Sequence, residues 1–377
     1  MSALEPIAIV GAGPVGLSCA LMLHTQGISA QLFDAGRRDA TRSDARVLAL
    51  SRGSWRLLQP FLDGALLPRA PIESVRISSA GEFGQTQIAA DHQEPLGATV
   101  QYGDLVTALI HAVERAGIAL HFQSPIDDIA QHSDHISLRH GHDTLTAPLA
   151  IVAEGRPDTR PGAHSEQSWA IVTTVQWPSM TPGLAIERFT REGPLALLPL
   201  PQREGLAGAL SVVWCMGQAE CERRLTLTDA DFLSELASAA GLPSGRPRQL
   251  GARHRFALSQ HLQDPLLRHR VVRIGNAAQM LHPVAGQGFN LGLRDASVLA
   301  QSLAQHPAEQ ALQHFVRCRA ADRRAISTLT RLLPAVFATH FAPLALARSA
   351  GLVALDWLPT LRHRLAHLLM FGVRQAT

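Results

Sequence analysis

Pro6-Ile-Ala-Ile-Val10, followed at once by Gly11-Ala-Gly13-Pro-Val-Gly16, is the stretch on which the fold turns. Its first five residues form a short apolar run, as expected of a strand buried on both faces in a parallel sheet. Leu17, Ala20, Leu21 and His24 then recur at helical spacing, and Gly27 follows as a terminator. A second strand, Ala30-Gln-Leu-Phe33, ends in Asp34. In such a strand–turn–helix unit Gly11 permits the tight turn and Gly13 lets the backbone approach a pyrophosphate. Gly16 lets the helix pack closely on the strand. The helix N-terminus offers free N–H groups to the anion, and Asp34 stands where a carboxylate binds ribose hydroxyls. The expectation is a dinucleotide-binding unit. The alternative, a Gly-rich turn without a ligand, does not explain the acid at the end of the second strand.

This fingerprint does not choose between nucleotides, and the choice comes from much further along the chain. Val271-Val-Arg-Ile274 reads as another strand and leads into Gly275-Asn-Ala-Ala-Gln-Met-Leu-His-Pro-Val-Ala-Gly-Gln-Gly-Phe-Asn-Leu-Gly-Leu-Arg-Asp295. An Ala- and Leu-rich helix is expected after it, to about residue 304. The stretch resembles the second flavin motif of the FAD-dependent aromatic-ring hydroxylases. That family includes para-hydroxybenzoate hydroxylase and the ubiquinone-biosynthesis hydroxylases. The resemblance implies that Gly275, Asn276, Pro283, Gly286, Gln287, Gly288 and Asn290 line a flavin. Glycines at 286 and 288 allow backbone to approach a flat ring, and a helix N-terminus stabilises negative charge on it. Asn276 replaces the family's usual Asp, and Gln279 its usual His. This form resembles the branch of 2-polyprenyl-6-methoxyphenol hydroxylases, acting in ubiquinone synthesis.

Between the two motifs, Ser43-Asp-Ala-Arg46-Val-Leu-Ala-Leu50-Ser resembles the segment that sets an Arg against the flavin, and the role passes to Arg46. Gln101 corresponds to a position near the cofactor; an ordinary helix cap is the alternative. Ile151-Val-Ala-Glu154-Gly155 resembles the family's Asp-Gly motif, with Glu in place of Asp and without the usual Ser-x-x-Arg spacing. The motif is associated with both FAD and NAD(P)H, so NADH or NADPH is the expected co-substrate. A second Gly-x-Gly-x-x-Gly is absent, which leaves no separate nicotinamide domain.

A length of 377 residues suits two intertwined domains. The expected fold class is α/β: a Rossmann-like FAD-binding domain interleaved with a β-sheet substrate domain, plus a helical C-terminal segment. The FAD-binding domain is assigned to residues 1–75, 98–180 and 262–330 and the substrate domain to 76–97 and 181–261. Residues 331–377 form the helical segment. In the substrate domain Leu197, Leu198, Leu200, Val213, Trp214 and Phe256 either wall an apolar pocket or are plain core. The few charges there suit a neutral phenol, although an inward Arg188 or Arg191 would favour an acid. His282 either orients a phenol and relays a proton or simply packs against the flavin.

The formal net charge is only +3, all 34 basic residues are Arg, and they are scattered. No basic patch with interleaved aromatics suggests nucleic acid. Four cysteines show no zinc spacing and read as free thiols of a reducing compartment. Neither a signal peptide nor a spanning apolar run of about 18 residues is evident. The expected location is cytoplasmic, with a peripheral place at the inner membrane in view. The apolar, Arg-punctuated segment after Pro334 has three readings: a cap on the flavin domain, a homo-oligomer interface, or contact with anionic lipid.

The resemblance implies a monooxygenase that uses NAD(P)H and O2 through a flavin C4a-hydroperoxide and hydroxylates a polyprenyl phenol. A multiprotein ubiquinone-synthesis complex is its implied setting. Two other readings stay open: a hydroxylase of a soluble aromatic acid, and a non-catalytic flavin-binding subunit.

Overall fold

The computed structural model describes residues 5–41, 44, 46–62, 67–82, 84–90, 94–155, 168–201, 207–242, 247–249, 251–258, 261–262, 266–281, 286–338, 350–351, 354 and 356–372. Every residue of β1 (Ile7–Val10) is buried, because the strand lies inside a sheet covered on both faces. That sheet runs in the order β20 (Leu267–Arg268), β21 (Val271–Arg273), β12 (Ala150–Val152), β1, β2 (Ala30–Phe33), β8 (Ala119–His121). The five strands from β21 to β8 are parallel, and β20 is an antiparallel edge.

Alternation along β1 sorts its side chains. Ile7 and Ile9 join the core formed with α1 (Pro14–Thr25), α3 (Tyr102–Arg115) and α6 (Gln287–Gln305). Ala8 and Val10 face a three-stranded meander of β9 (Asp128–Gln131), β10 (Ile136–His140) and β11 (Asp143–Ala147). Pro14 occupies the first helical position of α1, where its fixed φ costs nothing and no N–H is needed.

The second layer is an eight-stranded sheet. Its path is β17 (Arg248–Gln249), β13 (Ser168–Gln176), β16 (Ala209–Gly217), β15 (Pro194–Pro199), β14 (Leu184–Phe189), β5 (Ser74–Ser79), β6 (Gln85–Ala89), with β18 (His254–Leu258) also on β13. Here β13 pairs over nine residues with β16, although the boundary drawn after residue 180 set it with the nucleotide domain. One face of the sheet carries α4 (Gln218–Thr226) and α5 (Asp229–Ala240), around buried Trp214 and Phe232. The opposite face looks towards the first domain.

The junction is built from a small sheet of β3 (Val47–Ser51), β7 (Gly97–Gln101) and β4 (Arg69–Ile72), with α2 (Arg52–Leu58) behind β3. A separate short pair joins β19 (His261–Leu262) to β22 (Gln279–Met280) in antiparallel fashion. After α6 the chain continues in α7 (Ala308–Ala338) and ends its described course in α8 (Pro359–Phe371), which packs on α2, β3 and β6. No helix among the described residues is long and apolar enough to cross a membrane.

One boundary differs from expectation in a way that matters for the site. Helix α6 starts at Gln287, inside the Gly-rich stretch, and not after Asp295. Gln287, Gly288 and Asn290 therefore occupy its first turn.

Candidate active site

The first Gly-rich turn is shaped by contacts that exclude any side chain. Gly11 has φ +106°, and its N–H donates to Phe33 O at 2.7 Å. A Cβ on Gly16 would lie 2.0 Å from Gly11 O, so α1 can cross β1 this closely only with glycine there. Gly13 is the opposite case: the nearest atom to a Cβ would be the Tyr102 hydroxyl, at 3.9 Å. It is the N-cap of α1 without a side-chain cap, so the helix presents open N–H groups to free space. Asp34 closes the turn, Oδ2 accepting from Ala12 N–H and Oδ1 from Gly36 N–H, each at 2.7 Å. A pyrophosphate fits this cradle, with the Asp34 carboxylate fixed at its rim.

Arg46 and Gln101 meet at the same edge, because Val47 pairs with Gln101 across β3 and β7. The Arg46 guanidinium sits 4.6 Å over the Tyr102 ring and 5.6 Å from that of Phe256. It also pairs with Asp44 at 2.7 Å. Burial pushes the Asp44 carboxyl up, but hydrogen bonds and charge from Arg46 outweigh this and hold it below the usual range. Burial raises Tyr102, countered in part by Arg46, so its hydroxyl remains a donor beside Gly13. Tyr102 was missed in the sequence; the only signal there was its being the sole tyrosine of the chain.

The second Gly-rich stretch approaches the first from the other side. Gly275 (φ +60°) and Gly292 both close on Val15: a Cβ at 292 would lie 2.8 Å from Val15 Cγ2. Asn276 is exposed on this turn, its amide nitrogen 3.7 Å from where a Cβ of Gly155 would stand. Gly286 (φ +59°) is the N-cap of α6, and around Gly288 there is open space. This open side of Gly288 is where the resemblance sets a flat ring. His282 and Pro283 lie outside the described residues.

Asn290 turns its polar atoms to the protein. Its Nδ2 donates to Ala49 O at 2.9 Å and Gly286 O at 2.8 Å, and its Oδ1 accepts from Ser51 N–H at 2.9 Å. It clamps the start of α6 to β3 and so sets the shape of the cofactor groove. Gln279, in place of a histidine, also faces inward. Its Nε2 donates to Asp295 Oδ2, and its Oε1 accepts from Arg323 Nε, both at 2.6 Å. Asp295, fully buried, further pairs with Arg319 at 2.7 Å. Arg319 in turn reaches Asp322, which also pairs with Arg294. This network fastens the Gly275 turn to α6 and α7, and nothing local in the sequence announced it.

Between the eight-stranded sheet, β3 and the start of α6 lies a cavity of about 570 Å³. Its floor is the free face of the eight-stranded sheet: Val75, Ile77, Ala185, Glu187, Phe189, Ala196, Leu198 and Val213. Gly286, Gln287 and Gly288 border it on the α6 side, and Leu365, Ala366, Leu369 and Met370 of α8 close it. Of the expected wall, Leu198 and Val213 face the cavity, whereas Leu197 and Trp214 alternate to the other face and pack in the α4–α5 core. Leu200 lies by a separate, smaller cavity, and Phe256 lies beside Arg46.

Comparison with known proteins agrees with this geometry. The profile of the FAD binding domain family matches residues 5–330. Ubiquinone hydroxylase UbiL of Rhodospirillum rubrum is 31% identical over 373 residues, covering 93% of this chain and 86% of that protein. The 3-demethoxyubiquinol 3-hydroxylase of Escherichia coli is 26% identical, covering 93% and 94%. Among solved structures, p-nitrophenol 4-monooxygenase PnpA of Pseudomonas putida superposes with a TM-score of 0.74 at 15% identity, covering 98% of each chain.

Proposed function

This chain belongs to the FAD binding domain family and is an FAD-dependent aromatic monooxygenase, and on that premise we propose that it hydroxylates a polyprenylated methoxyphenol ring in ubiquinone biosynthesis. The cavity carries this reading. Its 570 Å³ falls within the roughly 300–1,000 Å³ of small-molecule sites, and almost all its lining is aliphatic. An alkylated, neutral ring suits such walls.

Each motif has a share in holding the cofactor. The Gly13 turn and the N–H groups of α1 hold the pyrophosphate, and Asp34 takes the ribose hydroxyls. Arg46, Gln101 and Tyr102 border the same groove. Gly275 and Asn276 meet the ribityl chain, an amide serving there without the charge-assisted part of a carboxylate's hydrogen bond. Gly286, Gln287 and Gly288 flank the ring, with the N-terminal dipole of α6 favouring negative charge on it. When bound, FAD supplies the redox chemistry, taking electrons from NADH or NADPH and activating O2. The protein positions the ring against it and keeps water out, both of which the apolar cavity does.

A carboxylated aromatic substrate is disfavoured by charge. No cationic side chain lines the cavity among the described residues, so a carboxylate would find no counter-charge on that lining. The prenyl tail has a route along α8 to exposed Trp357, Leu358 and Leu361, near Arg362 and Arg364. An aromatic and aliphatic patch with arginines suits the surface of an anionic bilayer.

The test is anaerobic reduction by NADH or NADPH followed by oxygen, monitored by flavin absorbance, with and without 2-prenyl-6-methoxyphenol analogues. Stimulated reduction with recovery of hydroxylated ring is expected. A flavin that binds but turns over only soluble aromatic acids would overturn the proposal. One that turns over with no phenol would mark a non-catalytic flavin-binding subunit.

A further inference from the structure

We propose that the Tyr102 hydroxyl is the side-chain donor to the pyrophosphate of FAD, and that Arg46 serves the cofactor by holding the Tyr102 ring in place. The inference rests on the first Gly-rich turn being the pyrophosphate seat, as argued above. That turn is short of donors. Ala12 N–H is committed to Asp34 Oδ2 and Gly11 N–H to Phe33 O, each at 2.7 Å. Pro14 has no N–H, and Leu17 N–H closes the helix on Gly13 O at 3.0 Å. From Ala12 to Leu17 no side chain is polar, so none within the turn meets the negative charge of a pyrophosphate. Ser18 follows, but its Oγ donates back to Pro14 O at 2.6 Å.

The missing donor comes from α3. Tyr102 is the first residue of that helix, and its N–H donates to Arg46 O at 2.7 Å. Its ring lies under the Arg46 guanidinium, 4.6 Å away, so backbone and ring are both fixed by Arg46. The hydroxyl donates to no described residue and stands 3.9 Å from where a Cβ on Gly13 would lie. A phosphate oxygen roughly 2.7 Å from the hydroxyl would bridge it to the turn. Burial raises Tyr102 against the pull of Arg46, and the charges of Asp44 and Asp34 add to the rise, so the hydroxyl keeps its proton. Arg46 is less suited to the phosphate. Its Nε and Nη2 donate to the Asp44 carboxylate at 3.0 and 2.7 Å, which offsets its charge. Its face covers the rings of Tyr102 and Phe256.

The experiment strips the full-length protein of flavin and measures Kd for FAD by quenching of flavin fluorescence. Tyr102→Phe keeps the ring and should raise Kd about tenfold or more, the size of a lost hydrogen bond to a charged group. Phosphorus NMR of the FAD-saturated protein locates the loss: a pyrophosphate resonance should move in Tyr102→Phe. A phenylalanine variant that binds FAD as tightly as wild type overturns the inference. So does one whose pyrophosphate resonances keep their wild-type positions, since its weaker binding would come from packing. Arg46→Gln should also weaken FAD, yet add little on the Tyr102→Phe background, because it acts through the hydroxyl it positions. Additive losses would give Arg46 a phosphate contact of its own and overturn its part. If wild type binds FAD but leaves the pyrophosphate resonances as in free FAD, the turn is not the seat, and the reading beneath the inference falls.

Discussion

Replacing Asn290 with leucine would preserve bulk at the start of α6 while stranding Ala49 O, Gly286 O and Ser51 N–H, all now satisfied by one amide. Each such bond contributes roughly 0.5–1.5 kcal/mol, so Asn290→Leu should lose about 2–4 kcal/mol in urea unfolding. FAD content should drop with it, because the same amide shapes the groove. Gly16→Ala is a harsher change, with its Cβ directed to 2.0 Å from Gly11 O. Overpacking of this kind costs about 1–3 kcal/mol or more, and the protein should purify with little flavin, as the 450 nm to 280 nm absorbance ratio would report. The two residues also differ in how they could be read. The Gly11–Gly16 turn was legible because its glycines, and the approach of Gly16 to Gly11 O that demands them, fall within six neighbouring residues. Asn290 answers to Ser51, 239 positions away, and Tyr102 to Gly13; such pairings exist only once the chain has folded.

At the scale of elements, α4 and α5 are joined by charge. Arg224, only 6% exposed at its side chain, stacks 4.0 Å over Trp214 and pairs with Glu235 at 2.9 Å. Arg223 binds the same carboxylate at 2.7 Å. Hydrogen bonds from Arg223, then Arg224, hold Glu235 down at about 2. A lowered folded-state value gives stability that is present above the unfolded carboxylate range and lost as pH falls towards 2. Glu235→Gln should therefore be less stable than wild type near pH 7, with the gap closing between about pH 4.5 and 2; a gap constant in pH would contradict this. The Asp295 network predicts a larger effect. Removing that charge leaves Arg319 buried with half its partners, and Asp295→Asn should cost about 3–5 kcal/mol by chemical denaturation. Element type was readable from apolar runs and glycines, but the facing of β15 and β16 was not. Both strands carry apolar residues on both faces, so composition gave Leu197 and Leu198 the same reading although only Leu198 reaches the cavity.

For the whole molecule, the decisive arrangement is that the cavity wall comes from distant parts of the chain: β3 and β5 near its start, β14 to β16 in the middle, α8 near residue 365. Motif reading assigned the cofactor groove, since phosphate turns are local. The apolar segment after Pro334 left a cap on the flavin domain, an oligomer interface and a lipid contact open, and its α8 part lines the cavity. Ala366, 7% exposed, faces inward from α8. Ala366→Trp should fill the tail's side of the cavity. It should raise KM for a prenylated phenol by about fivefold or more, on the basis of the roughly 1–3 kcal/mol of overpacking, while FAD binding stays unchanged. Equal losses for prenylated and unprenylated phenols would place the tail elsewhere.

The seating of α8 also gives the chain a history. Ser51 holds Met370 O, and Gly372 lies so close that a Cβ would stand 2.6 Å from an Asp322 oxygen. Both partners are translated before α8, so a nascent chain can assemble the nucleotide cradle while the hydrophobic chamber is still missing a side. During synthesis that chamber is an exposed greasy trough, made safe only when α8 arrives to shut it.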